Sequence, residues 1–214
     1  MNKPFHFYTQ LHLIELLGIK AKNPVEVLDA LKKVPASSVY YHTHRFLQQH
    51  HYLSPEPPND FAYWISNVLN LEELGESLAS IDTVSFKSLE DLRSEYIKIL
   101  TDYISGGKYF VDCEEGNEFH FMSCKSFILP TPYLAHDLKE FIEILSKITI
   151  NSIYFHIFEA RMRLQRDEND FANWFRNIGE KKLAKDLSEL DPYNITLQGL
   201  REDIIDLVKR YAKY

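Results

Sequence analysis

"FHFYTQLHLI", Phe5–Ile14, alternates only in part between apolar and polar residues, and its first three letters recur at the head of "FHFMSCKSFIL", Phe119–Leu129. Whether that recurrence is chance or register decides the fold. Holding the same offset of 114, "EVLDALKKV" (Glu26–Val34) falls on "EFIEILSKI" (Glu140–Ile148), and "SVYYH" (Ser38–His42) falls on "SIYFH" (Ser152–His156). The offset then drops to 110, where "NDFAYW" (Asn59–Trp64) meets "NDFANW" (Asn169–Trp174). At 109, "LGESLASID" (Leu74–Asp82) meets "LAKDLSELD" (Leu183–Asp191), and at 108 "SLEDLR" (Ser88–Arg93) meets "TLQGLR" (Thr196–Arg201). The order is kept and the drift is only loop length. Self-similarity of this kind predicts one unit of roughly 100 residues present twice. The expected architecture is mainly α: two tandem copies, 1–107 and 108–214, related by a pseudo-two-fold axis, with Gly106-Gly107 at the seam.

Each copy reads as helices. Asn23-Pro24 offers a cap followed by proline at the first helical position, and Val27, Leu28, Leu31 and Val34 make an apolar stripe. Thr131-Pro132 is the matching start in the second copy, ahead of Leu138, Phe141, Ile142, Leu145 and Ile148. Asp60 and Asp170 are placed to cap the next helices. Ser88 and Thr196 are placed to cap Leu89–Ile104 and Leu197–Ala212. The head of each copy predicts a small extended element, and "KYFVDC" is a candidate hairpin partner for "EFHFM" across the Glu115-Gly116 turn.

The charge of -7 excludes the chain as a whole from binding phosphate backbones or anionic membranes. No run of about 20 apolar residues is present, so no membrane span is expected. "MNKPFHFYTQLHLIELLG" is too polar for a signal-peptide core. Two cysteines cannot staple a small fold. Cys113 and Cys124 are expected as free thiols and the compartment as cytoplasmic.

The series FxF, helix, YxH, NDFxxW, LxxxLxxID, LR resembles a family of bacterial and archaeal proteins known as a domain of unknown function, DUF5752. The resemblance covers nearly the whole chain. NDFxxW and YxH are its most specific parts, and the second copy departs with Phe155 where the first has Tyr41. It implies the domain and no activity, so no catalytic residue is carried over.

Histidines are the obvious candidates for chemistry. His42 and His44 lie about 200° apart on a helix, so they are not a metal clip. His42 and its match His156 read as core-edge histidines bonded to a carboxylate or carbonyl, against a catalytic base beside Tyr40 and Tyr154 or a metal ligand. His44, Gln48 and His51 share one helical face, with His50 adjacent, in the first copy only. A metal there would need Glu56 as well, and none is expected. Arg93 and Arg201, each in the first turn of a helix, call for a nearby carboxylate, and Asp82 and Asp191 are the obvious ones. Trp64 and Trp174 read as core. There is no Walker A loop, Rossmann glycine fingerprint, nucleophile elbow or His-Glu-x-x-His, and no cofactor is indicated.

Two functions follow as expectations. One is a non-catalytic binding or adaptor protein taking a protein partner or small ligand. The other is an enzyme or small-ligand-binding protein with a His/Tyr/Asp site in a cleft between the copies. The unmatched stretch His44–Pro58, rich in histidine and proline, is expected to face a partner and to respond to pH near the ordinary histidine pKa of about 6.5.

Overall fold

The computed structural model describes residues 3–45, 58–83, 85–107, 111–160, 168–190 and 195–212. It opens with a strand, β1 (Phe5–Ala21), followed by α1 (Pro24–Leu31) and α2 (Ala36–Tyr40). The last runs straight into a π turn, Tyr41–Arg45. Then come α3 (Asp60–Asn67), α4 (Glu72–Ala79) and α5 (Leu89–Ser105). A second strand, β2 (Phe119–Ala135), precedes α6 (Leu138–Leu145), α7 (Ile150–Tyr154) with its own π turn (Phe155–Glu159), α8 (Asp170–Asn177), α9 (Lys181–Ser188) and α10 (Leu197–Tyr211). β1 and β2 pair with each other as a two-stranded antiparallel sheet.

Mainly helical is right, but tandem copies are not. The strand that opens each copy does not pack on the helices that follow it. Phe5 and Phe7 lie against Phe141, His156 and Phe171, more than 130 residues downstream. Phe119 and Phe121 belong to the core built by Val27, Leu31, Phe61, Ile65 and Leu74, upstream of them. The compact units are therefore interleaved. Among the described residues, one draws on Met1–Leu11 and Ser126–Tyr214, the other on His12–His50 and Ser54–Lys125. Of the expected hairpin strand, Lys108–Phe110 lie outside the described residues, the Cys113 amide donates to the Lys22 carbonyl at 2.8 Å, and β2 pairs with β1.

The strands are also longer than a small extended element. β2 continues through Thr131 and Pro132 to Ala135, so that pair does not open a helix. Each strand of a two-stranded sheet is an edge strand, where proline costs no ladder bond if its nitrogen faces outward. Asp137 caps α6 instead, its carboxylate accepting from the Glu140 amide at 2.9 Å. Asn23, Ser88 and Thr196 cap α1, α5 and α10 through their side chains. Asp60 and Asp170 do not cap α3 and α8. Asn59 and Asn169, one residue earlier, accept from the Ala62 and Ala172 amides at 2.8 Å, which leaves the two carboxylates for another task.

In the unit with α1–α5, Tyr96 sits fully buried against Phe61, and its hydroxyl has no hydrogen-bond partner among the described residues. Burial pushes its pKa up, with a smaller push from Asp60. The position matched by sequence is Ile204, also buried. An unsatisfied buried hydroxyl costs about 1–3 kcal/mol, so Tyr96→Phe should raise the urea midpoint without changing the m-value.

Candidate functional site

The liberated carboxylates meet the matched histidines. Asp60 Oδ2 lies 2.7 Å from His42 Nδ1, and Asp170 Oδ2 lies 2.7 Å from His156 Nδ1. Both imidazoles are 2% exposed. The other nitrogen faces a strand. The Met122 amide donates to His42 Nε2 at 2.9 Å, and the Tyr8 amide donates to His156 Nε2 at 2.9 Å. An amide N–H can only donate, so each Nε2 is an acceptor and each Nδ1 carries the proton that its aspartate receives.

This acid–imidazole pair has the orientation that hydrolases use, in which a carboxylate fixes the tautomer of a general base. Here the lone pair that a base would need is already committed to a main-chain amide. The two pairs act on the strands. Trp64 Nε1–H donates to the Asn117 carbonyl at 2.7 Å, and Trp174 Nε1–H donates to the Lys3 carbonyl at 3.1 Å. Between these two polar grips the phenylalanines go inward. Phe119 packs on His42, Phe61 and Trp64, with ring centroids 4.7, 5.2 and 5.7 Å apart. Phe5 packs on His156, Phe171 and Trp174 at 4.9, 5.3 and 5.6 Å. Ser152 Oγ–H adds a bond to the Tyr8 carbonyl at 2.5 Å.

The remaining candidates lie elsewhere. Tyr40 and Tyr154 are buried, and each stacks on the side chain four residues on, His44 and Phe158, at 5.6 and 5.0 Å. His44 is 1% exposed, so it is not on a solvated face with His50 and His51, which lie outside the described residues. The two rings are buried against different neighbours: His44 stacks on Tyr40, and His42 lies against Phe61 and Phe119. Burial pushes the His44 pKa down to about 4, against a backbone hydrogen bond to Thr83 that raises it. A base depressed in the folded state binds fewer protons there than when unfolded. Stability is then full above about pH 6.5 and falls as the pH drops toward 4, by about 3 kcal/mol in all. His44→Phe, the residue of the matched position, should flatten stability over that window in urea titrations at stepped pH.

Arg93 and Arg201 each reach a main-chain carbonyl. The Arg93 guanidinium donates to the Leu31 carbonyl at 3.3 Å and pairs with Glu90, and Arg201 donates to the Ile148 carbonyl at 2.8 Å. Leu31 closes α1, where carbonyls have no intrahelical donor and attract a cation, whereas Ile148 lies in the turn between α6 and α7. Burial lowers the pKa of Arg201. Asp191 lies outside the described residues. Cys113 and Cys124 are free thiols. Among the described residues no group of three or more His, Cys, Asp or Glu could hold a metal ion, and no helix is long and apolar enough to cross a membrane.

Sequence reasoning found both histidines and both tryptophans but missed the strand as their common ligand. The signal was present in the phenylalanine alternation at the head of each copy, and only the pairing of the wrong strand with each helix set hid it.

Away from these grips the middle of each strand is bare. Leu11, Leu13, Ile14 and Leu16 of β1 are exposed, Leu13 by 61%, as are Phe127, Ile128 and Leu129 of β2.

A family model described as "Family of unknown function (DUF5752)" matches residues 2–209. The fold is similar to the structure of OrfY from Thermoproteus tenax, with a TM-score of 0.80 at 23% identity over 98% of this chain and 97% of that one. No curated protein matches the chain.

Proposed function

The chain thus belongs to the DUF5752 family of unknown function, and from that premise we propose that it is a non-catalytic binding or adaptor protein that docks a protein partner on its strands. The observation that carries this reading is the bare apolar middle of each strand, Leu11–Leu16 and Phe127–Leu129. Exposed apolar runs on strand edges are where other chains add. Two further features support it. Both nitrogens of His42 and of His156 are committed to structural bonds, and β1 is free of proline between Phe5 and Ala21, so nothing in it blocks main-chain pairing.

The test uses an exposed position, so that the fold is untouched. Leu13→Lys should leave the melting temperature within a degree or so while reducing partner retention on immobilised protein by about ten-fold or more. Any partner so found is then titrated as a pure protein against both forms. Equal affinity for wild type and Leu13→Lys would refute docking on β1.

A further inference from the structure

Two different segments of this chain are gripped in one way. In Lys3–Tyr8 and Asn117–Met122 only the Phe-His-Phe core is shared, while Lys3-Pro4 stands against Asn117-Glu118 and Tyr8 against Met122. In both, a tryptophan indole holds the carbonyl two residues before the first phenylalanine, and an aspartate-oriented imidazole holds the amide just after the second. The central histidine is not read in common: His6 reaches the Thr131 carbonyl, and His120 is exposed. The grips therefore recognise an extended main chain with phenylalanine at alternate positions on one face. They supply with side chains what a neighbouring strand supplies in β-augmentation.

Neither segment is held by its sequence neighbours. The Tyr8 amide is 148 residues from His156, and the Lys3 carbonyl is 171 residues from Trp174. So long a connection lowers the effective concentration of the chain's own segment, which narrows its advantage over an incoming copy. A second copy of the chain also brings the one segment each groove is already known to fit.

We propose that each groove is a binding site for an extended Phe-x-Phe segment, and that it takes the segment of a second copy of the chain in place of the chain's own, giving strand-exchanged dimers. Exchange of an identical element is a low-cost route to a dimer. The site is separate from the bare strand middles, and the inference does not depend on the docking reading.

The experiment uses the full chain. A fluorescein-labelled peptide of the sequence Lys3–Gln10 stands in for the segment of a second copy. It is titrated by anisotropy into wild type, into Phe5→Ala and into Phe5→Ala/Phe7→Ala. The vacated grooves should bind it at least roughly ten-fold more tightly than wild type does. The same peptide with alanine at both phenylalanine positions should not bind. If the double variant does not fold alone, the peptide must restore its helical circular dichroism. Wild type warmed to the foot of its melting transition at high concentration and cooled should then yield a dimer mass by light scattering, in proportion rising with concentration. Binding that ignores the phenylalanines, failure to restore the helical signal, or a purely monomeric product after that treatment would each overturn the proposal.

Discussion

Phe7→Ala should cost about 3–5 kcal/mol of stability, the usual range for emptying a fully buried phenylalanine site, and the damage should appear at the far end of the chain. Phe7 has no exposed surface, and its ring lies 5.5 Å from that of Phe141 and 6.1 Å from that of Phe171. Hydrogen exchange followed by mass spectrometry should show faster exchange in α6, α8 and α10, with α1 and α5 close to wild type. Phe121→Ala should do the reverse, loosening α1, α3 and α5, because Phe121 lies in the core that Val27, Phe61 and Tyr96 build. If Phe7→Ala loosened α1 instead, each strand would be serving the helices beside it, and the interleaved arrangement would be wrong.

His156→Phe is expected to cost about 3 kcal/mol or more, although the ring is retained. Two groups lose their partner at once: the Tyr8 amide and the buried side of the Asp170 carboxylate, whose side chain is only 14% exposed. Removing the partner of a buried donor and of a largely buried carboxylate at once is among the few ways one substitution reaches that size. Asp170→Asn should cost less, because an amide oxygen can still accept the Nδ1 proton. Urea unfolding measures both, and exchange at the Tyr8 amide distinguishes them: it should lose protection in His156→Phe and keep most of it in Asp170→Asn. Equal protection in the two variants would mean that the imidazole is not what holds the strand.

Local signals were legible because they depend on a few adjacent residues. Asn23-Pro24, Ser88 and Thr196 cap where the sequence places them, since a short polar side chain before an apolar stripe has one favourable use. Asp60 was ambiguous for the same reason. Asn59 and Asp60 both cap well, and only the position of His42, set by the π turn, decides which carboxylate or amide is free. That turn has no sequence mark, because i→i+5 winding is imposed by packing. Thr131-Pro132 reads as a helix start on local chemistry alone, and an edge strand tolerates it equally. The largest misreading was the strand partner. Periodicity says which face of a strand is buried but not against which helices, and two helix sets that each offer a His, a Phe and a Trp make equally good homes for the Phe-x-Phe face.

The reach of these contacts has a consequence during synthesis. Met122 must be made before the His42 imidazole can receive its amide donor, and Tyr8 waits until residue 156 for its own acceptor. Neither helix set can finish its core as it leaves the ribosome. The first set, whose last helix ends at Ser105, idles with an empty aromatic slot until Met122 is added, on the order of seconds at about 5–20 residues per second. High contact order slows the final closure further. The nascent chain therefore carries, for those seconds, an unfilled groove and a loose Phe-x-Phe strand together, which makes crowded translation on a polysome the setting in which neighbouring chains would most readily fold into each other.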